Sequence, residues 1–315
     1  MGVRRCKKSL NLHKFTVLIG PNNAGKTSLL LALFLAPYPW TAYFLPIIER
    51  RKVEFLVDFL HRDLRSLIYR YSGKLRIKYQ LEDKEMILEL QANKTPAIYQ
   101  SDGSRIEGHD KLLDYLRLEG VYRENPARYS LLIPDSDSFL DKLDEGLVFK
   151  WEDVEKSGAH YKLVKDYVNK AIQDKSTEVG IRPNELAIRK ELPDGEPYWI
   201  NLGHVGSGVR RFLTSALWLE AVKPKVVLWD DFEASAHPAL VKASLEWLAN
   251  HEWQVVLSTH SIDVLREVAF LDVEDAAVLS LRRYEDDTLT YTQYSLDELV
   301  DMFEKGQDVR KLLAL

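Results

Sequence analysis

The run Phe15-Thr-Val-Leu-Ile-Gly20-Pro-Asn-Asn-Ala-Gly25-Lys26-Thr27 sets the interpretation of the whole chain. Its first five residues are apolar and β-rich and end at a glycine, which predicts a short buried strand. The rest matches G-x-x-x-x-G-K-[ST] at every fixed position, and residues 25–36 have the composition of a helix that ends at Pro37. Glycines let backbone N–H groups close around a phosphate, Lys26 reaches the β- and γ-phosphates, and Thr27 offers a hydroxyl to Mg²⁺. The stretch therefore predicts a phosphate-binding loop between a strand and a helix.

The composition is that of a folded protein. Of 315 residues, 29% are charged and 46% belong to the hydrophobic set, which argues against a disordered or fibrous chain. The 43 basic and 48 acidic residues leave a net charge of −5, which argues against a surface that coats DNA. The single cysteine excludes a disulfide framework within the chain and a cysteine-rich zinc site, and we predict a cytoplasmic location.

One apolar stretch has the length of a possible transmembrane helix. Residues 29–48 carry no formal charge over twenty residues, which is about the length of a transmembrane helix. Pro37, Pro39 and Pro46 lie inside the stretch, and each removes a backbone donor and disrupts a helix interior. We therefore predict a buried helix followed by an apolar turn, and no membrane partner.

The remaining patterns predict alternating elements. Helical spacing of apolar residues predicts a helix over 53–71, and strict alternation predicts a hairpin of strands 75–81 and 86–90. Further strands are predicted at 131–133, 185–190 and 198–201, and a helix at 160–173. In the last third, strands at 225–229, 254–258, 276–281 and 289–294 alternate with helices at 208–222, 239–250 and 261–269, and a final helix opens with a capping-box pattern at 295–298. This order predicts an α/β fold with a mainly parallel sheet.

Two carboxylates follow the predicted strand Lys225-Val-Val-Leu-Trp229. Asp230 stands where a P-loop enzyme usually holds Mg²⁺ or its bound water. Asp231 and Glu233 are competing candidates for the carboxylate that polarises the attacking water. By themselves these acids are equally compatible with a solvated turn, and the phosphate loop is what favours a nucleotide site.

A histidine and a glycine-rich turn complete the set of motifs. Gln254-Val-Val-Leu-Ser-Thr-His260 reads as a parallel neighbour of the Asp230 strand, which would bring His260 to the same edge of the sheet and to a γ-phosphate. Gly203-His-Val-Gly-Ser207-Gly208-Val-Arg210-Arg211 precedes an amphipathic helix, which Ser207 is predicted to cap and whose N-terminus suits an anion.

These four motifs, in this order, resemble the ABC-type ATPase heads of the SMC, RecF and OLD (overcoming lysogenization defect) kind, and most of all stand-alone OLD-like ATPases. VLIGPNNAGKTSLL resembles their phosphate loop, VGSGVRRF their signature, VVLWDDFEASAHP their Walker B and D-loop, and VVLSTHS their histidine switch. The likeness covers roughly 15–36 and 198–315. It implies a P-loop NTPase with a mainly parallel central sheet, formed by 1–48 and 198–315, and a mixed α+β inserted lobe at 49–197. With 55 residues after His260, no TOPRIM nuclease domain is expected.

The resemblance also implies a mechanism in which two subunits of a homodimer enclose two ATP molecules with Mg²⁺. It assigns nucleotide binding to Gly20, Asn22, Asn23, Ala24, Gly25, Lys26, Thr27 and Ser28, the metal to Thr27 and Asp230, and catalysis to Asp231, Glu233 and His260. It assigns the contacts that the second subunit makes with the nucleotide to Ser207, Gly208 and Arg210.

Two departures from the family pattern, and one other class of P-loop enzyme, keep alternatives open. The usual catalytic glutamate is replaced by Asp231. RecF-like heads tolerate such an Asp-Asp pair, so hydrolysis is still expected, at a slow rate, and a dimerisation switch with negligible hydrolysis is an alternative. The Q-loop glutamine has only weak candidates in Gln80, Gln91 and Gln100. A P-loop kinase would explain the phosphate loop and leave Ser207-Gly208 and His260 without a role.

Partners beyond a second copy are implied by the family only. The short basic clusters at 4–8 and 50–52 are candidate nucleic-acid contacts, although a solvated face is the simpler interpretation at this net charge. A separately encoded nuclease is a further candidate partner, in DNA repair or defence.

Overall fold

The computed structural model describes residues 4–37, 39–40, 42–44, 49–60, 64–91, 94–173, 175–192 and 194–310. The strands are β1 (Arg5–Cys6), β2 (Phe15–Ile19), β3 (Ala42–Phe44), β4 (Glu49–Arg51), β5 (Lys74–Leu81), β6 (Lys84–Gln91), β7 (Lys94–Gln100), β8 (Arg105–Ile106), β9 (Ser130–Ile133), β10 (Ser176–Ile181), β11 (Leu186–Glu191), β12 (Pro197–Asn201), β13 (Val226–Trp229), β14 (Gln254–Ser258), β15 (Ala276–Arg283) and β16 (Thr288–Tyr294).

The helices are α1 (Lys26–Phe34), α2 (Lys52–Leu60), α3 (His109–Tyr115), α4 (Gly120–Glu124), α5 (Asp137–Phe149), α6 (Trp151–Ser157), α7 (Ala159–Leu163), α8 (Asn169–Ile172), α9 (Ser207–Val222), α10 (Pro238–Ala249), α11 (Ile262–Ala269) and α12 (Leu296–Glu304). A π-helical turn at Val164–Val168 joins α7 to α8, so the helix predicted over 160–173 is confirmed with one widened turn.

A seven-stranded sheet forms the centre of the molecule, in the order β1-β16-β15-β2-β14-β13-β9. The five strands from β15 to β9 run parallel, and β16 returns antiparallel to β15. All five residues of β2 are buried, as expected for a strand covered on both faces. The predicted α/β fold with a mainly parallel sheet is therefore confirmed.

The carboxyl ends of the parallel strands share one edge, which places the motifs. Trp229 pairs with Leu257 across β13 and β14, and Ser258 pairs with Leu18 across β14 and β2. The residues after these strands are Asp230, Thr259 and the phosphate loop. Such an edge is where open α/β sheets bind ligands.

The region predicted as an inserted lobe shares this core. Its strand β9 pairs with β13 along its full length, and its helix α5 packs against α9. The predicted hairpin is confirmed as β5 and β6 of a four-stranded antiparallel sheet. Tyr79 of β5 donates from its hydroxyl to the carbonyl of Ala32 in α1, at 2.6 Å. The boundaries at 48 and 198 stay a prediction.

Two expectations need correction. The helix predicted over 53–71 is wrong for its second half, because α2 ends at Leu60 and 64–71 form two short 3₁₀ turns with Arg70 at φ 53°. The basic cluster at 50–52 is also not a surface patch throughout, because Lys52 is completely buried. Its Nζ donates to the carbonyl of Ala36 and, at 2.7 Å, to Ser130 Oγ, and burial holds its pKa well below the usual value.

The apolar stretch at 29–48 begins inside α1, whose Leu30, Leu31 and Phe34 are fully buried. The predicted buried helix is confirmed, and positions 38, 41 and 45–48 lie outside the described residues. Within the described ranges, no helix has both the length and the apolar character that a membrane crossing requires.

Candidate active site

The phosphate loop depends on glycine at two positions. Gly20 has φ +145°, and a Cβ atom there would lie 2.6 Å from the carbonyl oxygen of Leu281 in β15, so no larger residue fits. Gly25 has φ +106° and precedes α1, which begins at Lys26. Left-handed backbone at these two points turns the chain sharply between β2 and α1. Of the other predicted loop residues, Asn22 and Asn23 are exposed, Ala24 is buried and Ser28 is half-buried.

Lys26 lies across the loop with little exposure. Its Nζ donates to the carbonyl of Gly20 at 3.1 Å, which holds the side chain along the strand-to-helix turn. Burial lowers the pKa of Lys26, and the nearby carboxylates of Asp231, Asp230 and Glu233 oppose that shift. A buried ammonium of this kind gains counter-charge when an anion such as a triphosphate enters the loop.

Asp230 is the centre of a hydrogen-bond network that joins three separate segments. Its Oδ2 accepts from Thr27 Oγ1 at 2.9 Å, and its Oδ1 accepts from Ser258 Oγ at 2.6 Å. The backbone N–H of Asp231 donates in turn to Ser258 Oγ at 2.9 Å. Asp230 is only 8% exposed, so the network fixes its carboxylate beside the phosphate loop.

The pair of oxygen atoms on Thr27 and Asp230 fits a magnesium ion. Mg²⁺ binds through one or two protein oxygen atoms and completes its shell with water and substrate phosphates. The two side chains are in direct contact, and they lie beside the loop that would hold the phosphates.

Asp231, Glu233 and His260 come together at the same edge, as predicted. His260 Nε2 lies 4.0 Å from Asp231 Oδ1, and both side chains are about two-fifths exposed, at 41% and 42%. Glu233 has a different role, because its Oε1 accepts from the backbone N–H of His260 at 2.7 Å. Its Oε2 is buried and has no hydrogen-bond partner within the described part of the chain. The geometry thus leaves the Asp231 carboxylate open at this edge of the sheet, whereas Glu233 holds the loop that carries His260.

The pKa of Asp231 is raised above its usual value. Burial is the largest cause, and the negative charges of Asp230 and Glu233 add to it, while His260 and Lys26 oppose it. A carboxylate with a raised pKa is a better proton acceptor, which suits the polarisation of a water molecule.

The glycine-rich turn takes a different form from the one predicted. Gly206 is the N-cap of α9, and Ser207 is the first helical residue, exposed and without a capping hydrogen bond, so its predicted capping role is wrong. Gly208 is buried against the loop that follows Asp231, and a Cβ atom there would lie 2.4 Å from the carbonyl oxygen of Ser235. The start of α9 is thus packed directly onto the segment after Walker B.

Arg210, predicted to act on a second subunit, forms hydrogen bonds with helix α5 of its own chain. Its Nε donates to Asp144 Oδ2 at 2.9 Å and its Nη2 to Asp141 Oδ1 at 2.6 Å, both on α5. Thr214, one turn along α9, donates to the other oxygen of Asp144 at 2.6 Å. These contacts give Arg210 the role of anchoring α9 to α5.

Two arginines complete the site, in roles that no motif assigned to them. Arg211 is buried, and it donates to the carbonyl of Asp230 at 3.0 Å and to Asp135 Oδ1 at 2.8 Å. Arg310 donates to the carbonyl of His260 at 2.9 Å. Local sequence did not reveal these roles, since each joins segments far apart in the chain.

No Q-loop glutamine follows β9, the strand that pairs with β13; an aspartate stands there instead. Asp135 comes two residues after β9, at the edge that carries Asp230. Gln80, Gln91 and Gln100, the candidates for the Q-loop, belong instead to β5, β6 and β7 of the four-stranded sheet.

Comparison with known families gives one match over most of the chain. The model of a family described as "AAA domain, putative AbiEii toxin, Type IV TA system" matches residues 15–266. A search of curated protein sequences finds no match.

Solved structures share the fold at low sequence identity. An SMC head bound to the C-terminal winged-helix domain of ScpA is 14% identical with a TM-score of 0.60, over 91% of this chain and 93% of that one. The SMC head domain from Thermotoga maritima is 13% identical with a TM-score of 0.54, over 94% and 97%. An SMC head from Pyrococcus furiosus, bound to the C-terminal domain of ScpA, is 12% identical with a TM-score of 0.52, over 94% of each chain. The expected fold, an α/β P-loop NTPase of the ABC-type ATPase-head architecture, is therefore confirmed.

Proposed function

The chain belongs to the family described as "AAA domain, putative AbiEii toxin, Type IV TA system", and from this membership we propose that it binds and hydrolyses ATP with Mg²⁺. The observation that carries the proposal is the Asp230 carboxylate, which Thr27 and Ser258 hold from either side next to a complete phosphate loop. A structural turn has no need of a buried carboxylate shared by three segments, because burying a charge has a cost.

The residues divide the chemistry among them. The loop backbone and Lys26 bind the β- and γ-phosphates. Asp231 accepts a hydrogen bond and then a proton from the attacking water, as the new bond to the γ-phosphorus forms and the bond from that phosphorus to the leaving oxygen of ADP breaks. His260 holds the γ-phosphate from the neighbouring strand end. Thr27 and Asp230 would hold Mg²⁺, which supplies charge stabilisation for the transferred phosphoryl group.

We further propose that two copies enclose two ATP molecules in a head-to-tail homodimer. Ser207 is exposed at the start of α9, where backbone N–H groups and the helix dipole suit a γ-phosphate presented by a second copy. Gly208 packs that helix start onto the loop after Asp231, so a contact made by one subunit is mechanically connected to the other nucleotide site of the pair.

A set of three variants tests the ATPase proposal by phosphate release and nucleotide binding. Lys26→Ala is expected to lose ATP binding, and Asp231→Asn to keep it while turnover falls by about 100-fold or more. Glu233→Gln keeps an oxygen that accepts from the His260 N–H and is expected to retain most of the turnover. Normal turnover in Asp231→Asn together with an inactive Glu233→Gln would reverse the assignment of the two acids.

The second candidate is a switch in which ATP drives dimerisation and partner recruitment with negligible hydrolysis. The aspartate at 231, shorter than the usual glutamate, motivates it. Two measurements separate this switch from the ATPase: the molecular size of the protein with and without ATP, and a phosphate-release assay. Steady phosphate release above background excludes the switch.

The biological setting is proposed from the family likeness. We place the chain with OLD-like ATPase heads, in the cytoplasm, where an ATP-driven head acts on a partner in DNA repair or defence, such as nucleic acid or a separately encoded nuclease. Retention on DNA that falls with salt would support a nucleic-acid partner, and no retention at low salt would remove it.

A further inference from the structure

A basic and aromatic cavity lies beside the phosphate loop, at the turn between β15 and β16. It has a volume of about 510 Å³ and is lined by Lys7, Arg282, Arg283, Tyr284, Glu285 and Asp286. Lys7 belongs to the basic cluster at 4–8, and the other five residues belong to none of the motifs described above. The volume lies in the range of small-molecule sites.

The turn that lines the cavity contacts the phosphate loop through Arg283. Arg283 Nη1 donates to the carbonyl of Asn23 at 3.3 Å, and its Nε donates to Asp287 Oδ1 at 3.0 Å. The turn itself is closed by Asp287 N–H, which donates to the carbonyl of Tyr284 at 2.9 Å. The cavity is therefore a direct neighbour of the phosphate loop.

The distance between the cavity and the phosphate loop suits a nucleotide. The carbonyl of Leu281 adjoins Gly20 in the phosphate loop. Tyr284 follows Leu281 by three residues, and three residues of extended chain span about 10 Å. The cavity also lies on the β15 side of the loop, whereas Asp230 lies on the β14 and β13 side. A triphosphate in the loop thus has its metal and water on one side and this cavity on the other.

Tyr284 gives the cavity a stacking surface. It is 40% exposed, and the Lys7 ammonium lies over its ring at 4.2 Å from the centroid, with the Arg282 guanidinium at 5.4 Å. Stacking of a base on an aromatic ring contributes more than a cation over an exposed ring. A base can accordingly displace the exposed Lys7 side chain from the ring.

We propose that this cavity binds the base of the nucleotide, with Tyr284 as the stacking residue and Lys7 and Arg282 as its cationic flanks. The inference rests on the proposed function, because it uses the same bound nucleotide. A nucleic-acid strand suits the cavity less well, because Glu285 and Asp286 line it and repel a continuous phosphate backbone.

The test compares ATP with inorganic tripolyphosphate, which fills the loop and carries no base. Binding of each is measured by calorimetry for the wild type, Tyr284→Ala, Tyr284→Phe and the control Tyr161→Ala, whose ring is similarly exposed on α7. Tyr284→Ala is expected to weaken ATP by about tenfold and to leave tripolyphosphate unchanged, while the other two variants behave as wild type. Photolabelling with 8-azido-ATP is expected on the tryptic peptide from Tyr284 to Lys305, and excess ATP should prevent it.

Each other outcome overturns the inference in a recognisable way. Equal losses for ATP and tripolyphosphate mean that the variant damages the loop, and unchanged ATP affinity means that the base lies elsewhere. A loss confined to a single-stranded oligonucleotide assigns the cavity to nucleic acid. If the wild type binds neither ATP nor tripolyphosphate, the proposed function fails and the base site with it.

Discussion

Asp231 is the residue on which the proposed hydrolysis depends. It lies in the left-handed region with φ 45°, directly after the buried Asp230, and it shares the open edge with His260. Non-glycine residues in this region are uncommon and are kept where the surrounding structure holds them. Here the holding contact is the hydrogen bond from its own N–H to Ser258 Oγ.

The raised pKa of Asp231 predicts a pH dependence. If Asp231 acts as the base, hydrolysis falls as the pH drops through this pKa, because the carboxylate becomes protonated. Glu233→Gln removes a negative neighbour, so the pKa of Asp231 falls and the acid limb of the turnover profile moves to lower pH. The measurement is the rate of phosphate release across pH for the wild type and the variant.

The exposed Glu246 on α10 supplies the control, since Glu246→Gln changes the same charge away from the site and should leave the acid limb in place. A limb that stays fixed in Glu233→Gln, or moves to higher pH, would contradict the role given to Asp231.

At the scale of elements, α9 connects the site to the rest of the molecule. Its first turn packs on the loop after Walker B through Gly208, its Arg211 reaches the carbonyl of Asp230, and its Arg210 is anchored to α5 by Asp144. A displacement of α9 is therefore transmitted both to the carboxyl end of β13 and to the region at 49–197.

The close approach at Gly208 predicts the effect of a single methyl group. Gly208→Ala is expected to lower the free energy of unfolding by about 1–3 kcal/mol and to reduce hydrolysis, because the new Cβ meets the backbone of Ser235 and α9 must shift. Urea denaturation and phosphate release measure the two effects.

Gly206→Ala is the matched control, two residues earlier in the same turn. It has φ −54° and no atom within 4 Å of an added Cβ, so both measurements should stay near wild type. Equal effects of the two variants would show that the turn, and not the contact with Ser235, is what matters.

At the scale of the whole molecule, the proposed homodimer makes each active site from two chains. Lys26→Ala removes the phosphate loop's lysine, and Ser207→Arg blocks the surface offered to the other subunit's γ-phosphate. Each variant alone is expected to be inactive, whereas their mixture forms one intact composite site and recovers part of the wild-type turnover. Phosphate release at increasing ratios of the two proteins measures the recovery.

A mixture that stays inactive, together with a size that does not change on adding ATP, would contradict the shared site. Lys26→Ala mixed with itself at the same total concentration controls for a simple effect of protein concentration.

Much of the fold was predictable because its signals are local. A buried strand, a glycine turn and a helix follow one another in residues 15–36, and the later strands alternate with helices, so the parallel sheet and the order of the motifs followed from neighbouring residues. Apolar spacing was misleading at 53–71, because it does not report where a helix ends. Helix α2 ends at Leu60, and the turns that follow include left-handed backbone at Arg70.

The sequence by itself determined the phosphate loop, the acids after β13 and the histidine after β14, because each is a short pattern with its own backbone geometry. Only the tertiary structure decided that Ser258 and Thr27 hold Asp230, that Glu233 turns to the histidine loop, and that Arg210 binds α5. Thr27 and Asp230 are 203 residues apart, and their contact exists because parallel strands bring their carboxyl ends to one edge. Such contacts are products of chain packing, which no local pattern encodes.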